Sequence, residues 1–470
     1  MHATSMPKII LEVTACNLIK TYINTFNNIC VIWNILICMR NFITNFFELK
    51  LNNTDIKSEI IAGITTFLTM AYIIFVNPQI MEVSGMDKGA IFVGTCLAAA
   101  IACFVMGIFA NWPIGLAPGM GLNAFFTYTV VGEMGYSWEV ALGAVFIAGI
   151  LFFIMSVTNL RSWMIASIPM NLRLAMGAGV GLFIGIIGLK TGGIIITNDA
   201  TLLALGDFSK TETLLAALGF LIIAALSIRK IPGAIIIGIL IITLMAIVLD
   251  LIKFNGMVSS PPSIAPTLMK LDILGALNIS MLTVIMSFLF VNLFDTTGTL
   301  VGVASRANLL DENGEAENLN KALKADSGAS IFGTFFGCSP VTSYVESSAG
   351  VEAGGRTGLT AVIVGFLFIL SIFLSPLASI IPAYATAGAL IYVAILMLGG
   401  MEKLNWNHAS ELLPALVILI MIPLTFSIAD GIALGFLSYV VLKITNGELK
   451  NISTAAWFLT FIFISKFIFL

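Results

Sequence analysis

The chain has 470 residues, of which 59% are hydrophobic and only 10% charged, with a net charge of −3 and a mean hydropathy of +1.05. A soluble protein of this length cannot cover its surface with so few charges, so the chain is a polytopic membrane protein. No basic cluster interleaved with aromatics points to nucleic acid, two histidines (His2 and His408) exclude a histidine-rich metal site, and no G-x-x-x-x-G-K-[ST] stretch argues for ATP-driven work.

Residues 1–45 form an N-terminal extension. Its mixed apolar stretch "NNICVIWNILICM" (27–39) lacks the small-residue cleavage site of a signal peptide, and Met39 offers an alternative start. A spanning helix needs about 20 mostly apolar residues. Candidate spans follow near 60–80, 90–110, 114–131, 138–158, 171–189, 213–227 and 231–252. A Pro/Ser-rich stretch at 250–272 cannot span and marks a connector over 253–280. A second set falls near 281–303, 320–336, 341–352, 357–375, 379–399, 412–426 and 429–445. The most polar stretch, 305–328, is expected to be an exposed loop leading into a short helix. The apolar tail, 451–470, is interrupted by Lys466 and is either an extra span or an interfacial helix.

With a cytoplasmic start, inside loops collect thirteen Lys and Arg, among them Arg161, Lys321, Lys324 and Lys443. Outside loops hold five: Lys88, Lys190, Lys210, Lys253 and Lys270. The positive-inside rule therefore places both termini in the cytoplasm and favours an even number of spans. Six scattered cysteines (Cys16, Cys30, Cys38, Cys96, Cys103 and Cys338) read as small apolar residues. In "GAGVGLFIG" (177–185) the glycines recur every four residues, a pattern for close helix packing in lipid rather than for a phosphate loop.

Two segments depart from a regular helical pattern, each third in its set of seven. "GLAPGMGLNAFF" (115–126) has three glycines and a proline before Asn123, and "FGCSPVTSYVESSAG" (336–350) has Gly337 and Pro340 before Glu346. Paired interruptions at corresponding positions point to a transporter binding site. Non-helical backbone at membrane depth must line a polar cavity or pair with similar backbone. A short extended piece from each segment is expected to pair with the other and lead into a half-helix facing a common site. Asp295 lies deep in "MSFLFVNLFDTTGTLVGVAS" (286–305), where a buried charge is a functional hypothesis by default. Asp430 reads as the cap of the last helix, and Glu352 as a neighbour of Arg356 near the cytoplasmic face.

At these residues a resemblance becomes specific. "TTFLTMAYIIFVNPQI", "APGMGLNAFF", "NLFDTTGTL", "SYVESSAG" and "GGRTGLTAV" together resemble the azaguanine-type (AzgA-like) purine permeases, from about residue 46 to 450 and in family order. These belong to the nucleobase–cation symporter superfamily that also holds uracil and xanthine permeases. The resemblance implies an all-α fold of 14 segments in two inverted repeats, 46–252 and 281–450, with core and gate domains. It also implies proton-coupled uptake of purine bases across the cytoplasmic membrane, with no cofactor beyond the proton gradient. Carried over by motif, Asn123, Asp295 and Glu346 match residues used for substrate binding and transport. Where the uracil-type branch has a histidine one turn after the acidic residue of segment eight, this chain has Thr299, so the coupling proton is sought at Asp295 or Glu346.

Bottom-up chemistry agrees with that reading. A carboxylate accepts the ring N–H and exocyclic amino hydrogens of a purine, and burial favours its neutral form, which gives access to a proton-loaded state. Tyr344 and Phe125 complete the candidate binding set, with Phe125 or Phe126 stacking on the ring or facing the membrane. Expected partners are a purine nucleobase, a proton and the lipid bilayer, with a homodimer allowed. Two other functions compete. One is an anion transporter of the sulfate or bicarbonate kind on the same architecture, disfavoured by the two carboxylates. The other is an intramembrane aspartyl protease, disfavoured because neither carboxylate stands in a GxGD-like setting.

Overall fold

The computed structural model describes residues 37–469 apart from 159, 161–167, 255, 308 and 310–317. Cys16, Cys30, Arg161, most of the stretch at 27–39 and the centre of the polar loop lie outside the described residues. The chain divides into two compact units, Met1–Ile56 and Lys57–Leu470. In the first, α1 (37–46) exposes Phe42 and Phe46, whose rings stack at 5.7 Å.

The second unit is mostly helical. Among the described residues nine helices are long and apolar enough to cross a membrane, by length and composition. The first is interrupted, as α2 (Ile56–Met70) and α3 (Ile73–Glu82). Pro78 lies inside α3, where it offers no N–H to the Ile74 carbonyl one turn earlier, and the interruption itself is a turn at Ala71–Tyr72. The expected span at 60–80 is therefore not one regular helix. Asp87 caps α4 (Lys88–Val105) by accepting the Ala90 N–H at 2.7 Å. The helix runs on as a π turn, Met106–Ala110.

Then comes the first interrupted segment: strand β1 (Leu116–Pro118), α5 (Met120–Ala124) and a π-helical continuation, Phe125–Glu133. Helices α6 (Trp138–Val157) and α7 (Met170–Thr191) follow, then a hairpin of β2 (Ile195–Asn198) and β3 (Leu202–Leu205), which the hydropathy pattern did not predict. Next are α8 (Thr211–Ile228), α9 (Ala234–Val248) and the one-turn α10 (Ile273–Ala276).

Helix α11 (Ile279–Ala307) carries Asp295, and α12 (Leu319–Phe335) leads into β4 (Val341–Ser343) and the six-residue α13 (Ser347–Glu352). The chain closes with α14 (Gly358–Ser371), α15 (Ser375–Ile380), α16 (Ala383–Leu398), α17 (Ala409–Leu424), α18 (Ile428–Thr445) and α19 (Thr454–Phe469).

Several details differ from the sequence reading. The end of the polar stretch, from Leu319 to Gly328, is the first half of α12, the helix expected near 320–336, but it buries Ala322, Leu323, Asp326 and Ser327 completely where an exposed stretch was expected. Asp326 and Ser327 lie on a face turned inward, whereas Lys321 on the other side is exposed. The cap of α18 is Ser427, whose hydroxyl accepts the Asp430 N–H at 3.2 Å; Asp430 sits in the first turn, where a carboxylate suits the helix dipole. Lys443 is no loop residue but is buried in the last turn of α18, paired with Glu411 at 3.2 Å and Glu448 at 2.6 Å. Glu352 pairs with Arg306 at 3.5 Å, while the Arg356 guanidinium donates to the carbonyls of Val351 and Gly355.

The glycine repeat does allow close packing, though not at every position. A Cβ at Gly181 would meet Met397 at 2.7 Å and one at Gly185 would meet Ala394 at 3.0 Å, both on α16, whereas Gly177 faces open space. The cysteines Cys96, Cys103 and Cys338 are buried and free.

Candidate functional site

The two interrupted segments meet. Strands β1 and β4 pair antiparallel, with Leu116 opposite Ser343, Ala117 opposite Thr342 and Pro118 opposite Val341. Flanking bonds extend the ladder: the Gly119 N–H donates to Pro340 O at 2.9 Å and the Tyr344 N–H to Gly115 O at 3.0 Å. On the outer edge, the Leu116 N–H donates to Cys103 Sγ at 3.2 Å, and the Ser347 hydroxyl accepts the Gly115 N–H at 3.0 Å. Backbone that lipid could not satisfy is thus satisfied by the opposite segment. Gly337, at φ +76°, turns the chain before Pro340, and a Cβ there would also sit 2.6 Å from Thr267.

The second segment ends at the carboxylates. Glu346 stands at the N-cap position of α13, which begins at Ser347. It is half-buried, and the Tyr72 hydroxyl, at the break between α2 and α3, donates to its Oε1 at 2.6 Å. Thr69 donates to its backbone carbonyl at 3.3 Å. The half-helix lies close against α2, because a Cβ on Gly350 would overlap the Thr66 hydroxyl at 1.9 Å. Asp295 is half-buried on α11 and within electrostatic reach of Asp326 and Glu346. No donor among the described residues bonds to the Asp295 carboxylate. Thr299, one turn further along α11, is buried.

The first segment ends differently. Asn123 is fully buried; its amide N–H donates to Asn77 Oδ1 and its carbonyl oxygen accepts the Ser339 hydroxyl. Asn77 in turn donates to Thr95 Oγ1 at 2.6 Å, and Thr95 to the Ile91 carbonyl at 2.7 Å. Asn123 therefore ties the two interrupted segments to α3 and α4. The Tyr344 hydroxyl is likewise committed, donating to Pro118 O at 2.6 Å. Phe125 is fully buried and packs edge-on against Phe288 at 5.0 Å.

Sequence reasoning missed Asp326, Asn77 and Tyr72. Asp326 is fully buried beneath β4, accepting the Ser343 hydroxyl at 2.6 Å and the Thr296 hydroxyl at 2.8 Å. Beside it, Asn292 donates to Ser330 at 2.9 Å and Ser330 to the Val341 carbonyl at 2.6 Å, which fixes α11, α12 and β4 together. The signal available for Asn77 and Tyr72 was Pro78, a breaker inside an otherwise apolar span.

Apolar spans surrounding a polar centre, where two strand-broken segments cross beside carboxylates, define a membrane transporter rather than an enzyme or a structural anchor. The profile of the permease family Xan_ur_permease matches residues 57–461, and the chain belongs to that family. The chain is 49% identical over 424 residues to the adenine permease AdeP of Escherichia coli (strain K12), covering 90% of this chain and 95% of that one. It is 42% identical over 437 residues to the guanine/hypoxanthine permease PbuG of Bacillus subtilis (strain 168), covering 90% and 99%. Its fold is similar to the transmembrane domain of the cyanobacterium bicarbonate transporter BicA. There the TM-score is 0.57 at 15% identity, over 83% of this chain and 96% of that one.

Proposed function

We propose that this permease imports a purine nucleobase by proton symport across the cytoplasmic membrane. One observation carries the reading: the half-buried Asp295 carboxylate has no donor among the described residues, and it shares the strand crossing with Glu346. A flat heterocycle with N–H groups on its edge supplies the missing donors. Asp295 accepts them, and Glu346, already holding the Tyr72 hydroxyl, offers its second oxygen. Either carboxylate can take up and release the coupled proton, with Thr299 standing where the uracil-type branch has its histidine. The relatives named as adenine and guanine/hypoxanthine permeases support a purine over an anion, although the BicA fold shows that the architecture itself also serves a bicarbonate transporter.

In this reading the chain has fourteen segments in two inverted repeats, 46–252 and 281–450, with cytoplasmic termini and a homodimer as the assembly to test. The deciding experiment is uptake of labelled adenine, hypoxanthine, guanine and uracil into a transport-deficient host, with and without a protonophore at maintained ATP. Purine uptake should collapse with the uncoupler. Uptake that survives it but disappears on ATP depletion would remove the symport reading, and exclusive uracil uptake would remove the purine one.

A further inference from the structure

Helix α12 has two working faces. Asp326 and Ser330 point to α11 and β4, whereas Lys324, Gly328 and Phe332, four residues apart each time, line the opposite side. That side forms one wall of a groove of about 270 Å³, closed by α4, its π turn and α6. The groove is almost wholly apolar, with small residues on its floor and the exposed rings of Phe109, Phe153 and Phe332 at its edges. A Cβ placed on Gly328 meets nothing within 4 Å, so the space above it is open. The single charged group in the lining is Lys324, half-buried, and Lys321 lies exposed one turn nearer the helix start. Among the described residues neither lysine has a carboxylate within ion-pair distance.

We propose that this groove binds one anionic phospholipid, an acyl chain lying along Gly328 and the phosphate held by Lys324 and Lys321. The charge argument selects the occupant. A neutral lipid would leave two cations that have no ion-pair partner among the described residues at the mouth of an apolar slot, whereas an anionic lipid satisfies slot and cations together. A long lysine side chain can keep its stem along apolar surface while its ammonium reaches the headgroup level. Basic residues at the mouth of a groove between helices, on the side the positive-inside count assigns to the cytoplasm, are where anionic headgroups bind.

The test is native mass spectrometry of the purified full-length chain titrated with dioleoylphosphatidylglycerol. Dioleoylphosphatidylcholine serves as the neutral lipid and glycerophosphoglycerol as the chain-free headgroup. The anionic lipid should bind with one-to-one stoichiometry and about tenfold more tightly than the neutral one, and the free headgroup should not displace it. Lys321→Gln with Lys324→Gln should erase the preference. Gly328→Phe, which fills open space, should reduce retention of both lipids, with the thermal unfolding midpoint confirming the fold. Equal binding of the two lipids overturns the proposal, as does displacement by the free headgroup, or wild-type lipid binding by both the double lysine variant and the Gly328→Phe variant.

Discussion

The two interrupted segments use one backbone device for different ends. Each follows a span, contributes three residues of strand to the same antiparallel pair and turns into a short helix. The β1 segment then closes on itself chemically: Asn123 is fully buried and its amide is engaged at both ends. The β4 segment opens: Glu346 is half-buried, and the neighbouring Asp295 has no donor among the described residues. Strand pairing satisfies the backbone in both, so the asymmetry lies in the side chains. One segment anchors the crossing and the other presents charge to it.

The largest expected effect tests the open side. Glu346→Gln and Asp295→Asn keep the shape and remove the ability to ionise. Each should cost ten- to hundredfold in purine affinity, on the scale of about 1–3 kcal/mol for a buried partner left unsatisfied. Glu346→Gln should also lose concentrative uptake while retaining some binding or exchange. Gradient-driven accumulation and purine binding, measured side by side, separate the two effects. If both variants bind and accumulate like wild type across pH 5.5 to 8, the open side is not the site.

The sealed side should fail in another way. Asn123→Ala strands the Asn77 carbonyl oxygen and the Ser339 hydroxyl in a dry interior, which costs about 1–3 kcal/mol. The unfolding midpoint should fall, with uptake falling along with the folded protein that remains. A raised KM at an unchanged midpoint would make Asn123 a ligand contact and erase the contrast between the segments.

What could be read from residues alone follows the same division. The interruptions were legible because Gly337, Pro340 and Pro118 are incompatible with regular helix, and Asp295 was legible because a charge stands out in apolar sequence. Asp326 was hidden in a stretch whose local composition is polar. Its burial depends on α12 turning that face toward α11 and β4, a tertiary fact. Asn123 was found as a polar residue at the right place, but whether its amide faces ligand or Asn77 depends on how α3, which carries Asn77, packs beside α5. Composition locates the device; only packing tells which half of it is sealed.

A smaller effect distinguishes the two turns. Gly337 sits at φ +76°, where an added Cβ costs about 1–2 kcal/mol and also meets Thr267. Gly119, before α5, has φ −73° and ψ 121°, ordinary extended backbone, and an added Cβ there meets the Thr342 methyl at 2.9 Å and the Leu122 side chain at 3.4 Å. Gly337→Ala should therefore lower the unfolding midpoint more than Gly119→Ala, and equal losses would show that close approach rather than backbone conformation governs both turns.

The smallest effect is expected at Glu352, and it sharpens the comparison because Glu352 ends the same six-residue helix that Glu346 precedes at its N-cap. Its pair with Arg306 spans 3.5 Å, and the two side chains are 68% and 59% exposed. Water and salt screen such a pair, which contributes between 0 and about 1 kcal/mol. The bond joins the ends of α11 and α13, the elements carrying Asp295 and Glu346, so a role in holding those carboxylates would be plausible from position alone. Exposure argues otherwise. Glu352→Gln should change purine uptake by less than about twofold and leave the unfolding midpoint almost unmoved, in the same assay where Glu346→Gln abolishes accumulation. Two carboxylates six positions apart would then differ in function solely through burial and partners. If Glu352→Gln instead abolished accumulation as Glu346→Gln should, negative charge anywhere on α13 would suffice, and the special standing of Glu346 at the strand crossing would be lost.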